Sequence, residues 1–301
     1  MNIHHRSFNI LGNIAIVNFS DKISLELKKK FAEQLLLKHP NIKTILEKSG
    51  KFSGRLRKMK TKHLAGEKNK EVLYRENNCI FRFNLDTTYF SPRLSNERKE
   101  IASLIKKDDK VLVMFAGVGP FSIVIAKNSG AKIYSNEINR EANKYAELNI
   151  KLNKVGDEVE LIPGDIKKVA QKLKSPRPLP APHAPAQQFI KNIYLRKNAR
   201  HPPQGNNKSH GYSNIPHKFD VIVMPRPKLK ETFLKQAFIL SKKGTKIYYY
   251  DFCKTEDVDK IAEKIKNEAK KARKKIKILK IKQAGEIAPY KIRVRVDFKI
   301  I

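Results

Sequence analysis

Lys110-Val111-Leu112-Val113-Met114-Phe115-Ala116-Gly117-Val118-Gly119-Pro120-Phe121 decides how this chain is read. An apolar run of strand length enters a pair of glycines, and Pro120 then stands where a helix starts. Glycines at the end of a strand let the backbone approach a ligand and aim the next helix N-terminus at it. The dinucleotide fingerprint needs a third glycine three positions on, and Ser122 occupies that position. A phosphate-free, nucleoside-bearing cofactor suits the turn better.

Downstream the rhythm is strand and helix in alternation. Strands are predicted at 132–137, 159–162, 219–224 and 245–250, with helices over 120–128, 140–153, 166–173, 229–240 and 258–272. A helix over 96–106 precedes the first strand, and 276–281 with 292–300 form a closing antiparallel pair. This spacing implies an α/β fold with a mostly parallel, doubly wound Rossmann-like sheet. Glu137 ends the second strand, where a carboxylate can accept hydrogen bonds from ribose hydroxyls. Asp165 follows the third, in Pro163-Gly164-Asp165, where an acid can read an adenine amino group. A glycine turn and two acids, one at each of the first three strand ends, is the layout of an S-adenosylmethionine site in class I methyltransferases. No metal-ligand spacing occurs among the histidines and cysteines.

Upstream, Phe8–Val17 reads as a hairpin turning at Gly12-Asn13. Ser20-Asp21 is the expected cap of a helix bearing Leu25, Leu27, Phe31 and Leu35, and Thr44-Ile45-Leu46 is a short apolar segment. Residues 51–63 are strongly basic. Two strands, 71–74 and 79–85, flank Glu76-Asn77-Asn78. Residues 1–85 are therefore expected to be a small basic α+β domain, and 86–301 the sheet domain. Residues 174–218 break the rhythm: about half of the prolines, many basic residues and no acid. They are expected to be a partly disordered insertion, either an extra RNA contact or a tolerated surface loop.

The chain of 301 residues carries 64 Lys+Arg against 29 Asp+Glu, a net charge of +35. Such an excess points to a polyanionic partner, nucleic acid above all. No run of about 18 apolar residues is present, so a membrane span is not expected. The N-terminus shows no signal-peptide pattern, and the two cysteines form no framework; a reducing cytoplasm and a monomer are expected.

Tyr89-Phe90-Ser91-Pro92-Arg93-Leu94-Ser95-Asn96-Glu97-Arg98 and the Met114–Phe121 block together resemble the archaeal and eukaryotic tRNA (guanine-37-N1)-methyltransferases. Asn149–Lys154, Ala288-Pro289-Tyr290 and Val296-Asp297-Phe298 carry the same resemblance, which spans nearly everything outside 174–218. It implies methyl transfer from S-adenosylmethionine to N1 of the guanosine 3′ to the anticodon, with the base drawn from its stack. It implies Glu97 as general base and Arg57 on the target base. Tyr89, Arg98, Phe115, Ala116, Gly117, Val118, Gly119, Glu137, Asp165 and Pro227 would hold the cofactor. Arg55, Lys58, Arg93 and Arg226 would contact tRNA. A carboxylate can also stand at position 97 simply to complement the helix dipole.

Three departures stand out. Val113 replaces a usual aspartate, Pro225-Arg226-Pro227 replaces Asn-Leu-Pro, and the chain is expected to lack the extra N-terminal domain of many archaeal members. Two other readings keep the fold: a wyosine-pathway aminocarboxypropyl transferase, and a bifunctional enzyme that also methylates a wyosine intermediate. A third is a non-catalytic tRNA-binding protein on a decayed methyltransferase fold.

Overall fold

The computed structural model describes residues 8–20, 22–50, 54, 59–174, 214–227 and 229–301. Arg55, Arg57 and Lys58, and most of the expected insertion at 174–218, lie outside them. At the insertion's ends, Ile215 is buried and the His217 ring meets the Leu173 carbonyl.

The N-terminal unit is a four-stranded sheet in the order β1 (Phe8–Leu11), β2 (Ile14–Val17), β3 (Thr44–Lys48), β4 (Thr61–Gly66). Helix α1 (Leu25–Lys38) covers one face, burying Ala32 and Leu35 over Ala15, Val17 and Ile45. Its cap is Ser24, whose side chain accepts from the Leu27 amide, rather than the expected Ser20-Asp21. Strand β4 lies in the stretch that its lysines had marked only as basic.

Hairpin β5 (Glu71–Glu76) and β6 (Cys79–Asn84) turns on Asn77 and Asn78 with φ of 47° and 59°, the backbone a two-residue I′ turn demands. The expected boundary at residue 85 falls after this hairpin, which meets both units: the Leu73 amide donates to Asn13 Oδ1 at 2.9 Å, and the hairpin also docks on the larger unit. Asn149 and Asn153 of α4 (Arg140–Asn153) hydrogen-bond both ways with the Arg82 and Ile80 backbone, at 2.7–3.1 Å. These asparagines bind an open strand edge, which explains their burial.

The larger unit is a seven-stranded sheet. Its strands are β7 (Lys110–Met114), β8 (Lys132–Glu137), β9 (Val159–Pro163), β10 (Phe219–Met224), β11 (Ser241–Lys254), β12 (Ile276–Ala288) and β13 (Lys291–Ile300). The spatial order is β12-β13-β11-β10-β7-β8-β9. Strands β7 to β11 run parallel, and β13 is antiparallel to both of its neighbours. This is the Rossmann-like sheet with a reversed C-terminal strand. Helices α2 (Ser95–Ser103), α3 (Pro120–Ser129) and α4 pack on one face; α5 (Ile166–Lys174), α6 (Leu234–Ile239) and α7 (Val258–Lys271) pack on the other. Near-continuous Val/Ile/Leu strands follow from that double covering. Helix α6 is shorter than the expected 229–240, because Leu229 and Phe233 are drawn onto the wall of the site.

The switch point lies between β7 and β10, where successive crossovers leave in opposite directions. A crevice opens there at the strands' carboxyl ends, where ligands bind in such sheets.

Candidate active site

The crevice is lined by Tyr89, Phe115, Gly117, Glu137, Asp165, Pro225, Arg226 and Pro227, all singled out in the sequence. Gly117 and Gly119 have φ of 60° and 87°. A Cβ on Gly119 would stand 3.2 Å from the Ile123 side chain and 3.6 Å from that of Ala146, so this glycine serves helix packing. A Cβ on Gly117 would sit 3.4 Å from the Tyr89 carbonyl, on the crevice itself. Ala116 and Val118 are buried beneath the turn and, like Gly119, do not line the crevice.

Glu137 is fixed on both oxygens. Oε2 accepts from the Gly117 amide at 2.8 Å and Oε1 from the Asn139 amide at 2.7 Å. The acid thereby ties β8 to the glycine turn. Asn136 donates to the Ile162 and Gly164 carbonyls at 2.8 and 3.0 Å, which sets the loop bearing Asp165. Ser122, at the missing third glycine, is fully buried against the Ser135 hydroxyl at 2.8 Å. The donor set is two carboxylates, apolar walls from Ile138, Ala142, Ile166 and Phe233, and a turn without the third glycine. It fits an adenosine-bearing, phosphate-free cofactor.

Phe233, Phe252 and Arg293 also line the crevice and carried no sequence signal. Phe115 and Phe233 both hold left-handed backbones, φ 58° and 59°, with ring centroids 5.0 Å apart, edge to face. Non-glycine residues in that region are costly and concentrate at ligand sites. Phe252 of β11 and Arg293 of β13 form the far wall, the guanidinium 5.1 Å from the ring centroid. Both come from the antiparallel end of the sheet, outside the β–α–β pattern.

Two arginines sit elsewhere than expected. Arg98 is fully buried, paired with Glu76 of the hairpin and bonded to the Ser91 carbonyl at 3.0 Å. It packs over Phe90 and Phe121 and joins the hairpin to α2, away from the crevice. Arg226 is also buried, and this corrects its reading as a tRNA contact. Its guanidinium pairs with Asp251, reaches the Tyr249 hydroxyl at 3.1 Å, and donates to the Leu229 and Glu231 carbonyls at 2.9 Å each. A side chain with its donors spent inside the protein has none to offer a phosphate. Arg93 is exposed.

Glu97 is buried in the first turn of α2 but lies off the crevice wall. Its Oε2 takes the Tyr250 hydroxyl and Arg295 Nη1, both at 2.9 Å; its Oε1 meets Lys282 Nζ at 2.9 Å. Arg295, wholly buried, also binds Glu100 and Asp297, each at 2.7 Å. Burial and the neighbouring Glu97 charge push the Tyr250 phenol well up. The Arg295 hydrogen bond, helped by Lys282, holds the Glu100 carboxyl down to about 2 against an ordinary 4.5. A folded-state value below the unfolded one gives stability that is complete above about 4.5 and lost as pH falls toward 2. Acid melts should show it: between those values Glu100→Gln loses less Tm than the parent chain. Val113 belongs to the apolar layer on this face of the sheet and is fully buried, so no polar group stands at that position.

The pattern of the TYW2 N-terminal domain matches residues 2–69, and that of the TRM5/TYW2 methyltransferase domain matches 72–201. A protein of Nanoarchaeum equitans (strain Kin4-M), tRNA (guanine(37)-N(1))/4-demethylwyosine(37)-methyltransferase Taw22, is 33% identical over 308 residues, covering 98% of this chain and 100% of that one. The chain belongs to the TRM5/TYW2 methyltransferase family. The solved complex of aTrm5 and tRNALeu is 25% identical with a TM-score of 0.73, over 98% of this chain and 72% of that one. The crystal structure of Methanocaldococcus jannaschii Trm5 in complex with adenosine is 26% identical with a TM-score of 0.70, over 98% and 74%. The family's two domain patterns meet at residues 69–72, at the start of the β5–β6 hairpin. Among the described residues no helix is long and apolar enough to cross a membrane.

Proposed function

We propose that this chain methylates N1 of guanosine 37 in tRNA, with S-adenosylmethionine as donor. The observation that carries the reading is the crevice: a glycine turn locked to Glu137, with Asp165 and Tyr89 in the same lining. That a relative is crystallised with adenosine and another with tRNA supports it. When bound, the donor supplies an electrophilic methyl group. This chain's part is to hold the adenosine end with Glu137 and Asp165, to wall the reacting end with Tyr89, Pro225 and Pro227, and to take the guanine N1 proton.

Guanine N1 is protonated at neutral pH and becomes nucleophilic only once that proton leaves. Glu97 is our candidate base, on the resemblance and on its burial in the first turn of α2, three residues after Leu94 of the crevice wall. The candidate arginine for guanine O6, Arg57, lies outside the described residues, as do Arg55 and Lys58, proposed with exposed Arg93 as tRNA contacts. We propose residues 1–85 as the tRNA-binding unit, and a cytoplasmic monomer; two unpaired thiols, Cys79 and Cys253, suit a reducing compartment.

Mass spectrometry of guanosine-37 tRNA incubated with enzyme and donor tests the reading. A gain of one methyl supports it; no modification overturns it. A second reading, methylation of a wyosine intermediate as well, is favoured by the name of the Nanoarchaeum relative and by Pro225 on the crevice wall where the resemblance led us to expect an asparagine. The same assay on tRNA bearing that intermediate decides it. Glu137→Gln weakens the carboxylate's hydrogen bonds, each worth about 1.5–3 kcal/mol when charged. Calorimetry should find donor affinity reduced by roughly 10- to 150-fold, with tRNA affinity unchanged.

A further inference from the structure

The turn joining β12 to β13 lies beyond the carboxyl end of β10, whose pairing with β11 stops at Met224 opposite Tyr249, and carries an exposed aromatic side chain. Strands β11 and β13 pair from Lys246 opposite Lys299 to Lys254 opposite Lys291, with Phe252 opposite Arg293 near that end. Phe252 and Arg293 wall the crevice, so the ribbon starts in the site and leads out of it. Three residues beyond Arg293, about 10 Å along a strand, Tyr290 is 81% exposed. Its backbone is left-handed, φ 58°, and its carbonyl is held by the Thr255 amide at 3.2 Å. A bulky residue in that conformation with its ring in water is costly on both counts. Beside it runs a surface groove lined by Lys254, Thr255, Glu256, Pro289, Tyr290 and Lys291. Glu256 is engaged by Lys254 at 3.2 Å, so the groove's own charges are two lysines and one carboxylate.

We infer that this ribbon is a binding track for the single-stranded RNA next to the target nucleotide, with an unstacked base lying on the Tyr290 ring and the backbone passing Lys254 and Lys291. The inference rests on the proposed function and deepens it by naming a substrate surface. A rigid aromatic face flanked by ammonium groups is how proteins hold single-stranded nucleic acid without reading its sequence. A base taken from its stack leaves its neighbours with an open face, which Tyr290 can cover. The chain's charge of +35 favours a polyanion over any other occupant.

The test is binding of guanosine-37 tRNA to Tyr290→Ala, Tyr290→Trp and Lys254→Gln/Lys291→Gln across a salt series, with 2-aminopurine beside position 37. Loss of one base–aromatic stack should weaken Tyr290→Ala binding and raise its KM for tRNA by roughly 5- to 100-fold, with turnover at saturating tRNA and donor affinity held. Tyr290→Trp should retain both affinity and the 2-aminopurine quench. The double lysine variant should flatten the salt slope by about 1.4. Parent-like tRNA affinity in Tyr290→Ala at every salt concentration overturns the track. A parent enzyme that binds this tRNA but leaves it unmethylated overturns the proposed function instead, and the binding series reads the track independently.

Discussion

Glu97→Gln is expected to cut turnover by roughly 10²- to 10⁴-fold, the usual worth of a positioned general base, while the Kd values for tRNA and donor stay within about twofold. The amide keeps the shape and one acceptor for Tyr250 or Arg295, but it cannot take the N1 proton. Arg295 retains Glu100 and Asp297, so the guanidinium is not stranded by the change. A thermal melt alongside the single-turnover rate separates lost chemistry from lost packing. If the rate is unchanged at every pH, Glu97 is confined to its structural role: the node through which Tyr250, Lys282 and Arg295 fasten α2 to the C-terminal strands.

Arg226→Leu is the second large effect. It restores the leucine that the resemblance leads one to expect, yet here it should harm the protein. Asp251 loses its buried guanidinium and keeps Lys264 at 3.2 Å, the Tyr249 hydroxyl at 3.0 Å and the Phe252 amide at 2.8 Å. Breaking a buried pair costs about 3–5 kcal/mol; the remaining partners put this one near the lower bound. The loop after β10 also loses the cross-links to Leu229 and Glu231, so Pro225 and Pro227 are no longer held against the crevice. Denaturant melts and donor calorimetry should both show the loss. Adding Asp251→Asn should recover part of the stability, because the pair then disappears together. A single variant that melts and binds like the parent would show that Arg226 does not shape this loop.

The parallel strands, their order of use and the cofactor crevice were legible because each sits where a local pattern ends. Gly117, Glu137 and Asp165 follow strands whose apolar runs are plain, and the fold brings them together at one edge. What sequence reading misassigned is long-range charge. Arg98 reads as a cofactor contact and Arg226 as a tRNA contact until Glu76 and Asp251, 22 and 25 residues away, are seen to enclose them. Phe252 and Arg293 were missed for a related reason: the strands bearing them join the sheet antiparallel, so their spacing follows no β–α–β rhythm. The left-handed backbones of Phe115 and Phe233 leave no mark on residue type at all.

The pairing of Glu97 with Arg295 spans 198 residues, which has a consequence for how the chain is made. Ribosomes add about 5–20 residues per second, so α2 emerges tens of seconds before the strand that neutralises it. Throughout that interval Glu97 and Glu100 have no guanidinium to enclose, and the face of the sheet under α2 cannot close in its final form. The nascent chain therefore passes through a stage with its donor crevice largely threaded and its candidate base unassembled. Completion of β13 is the event that delivers Arg295 to Glu97 and closes this network.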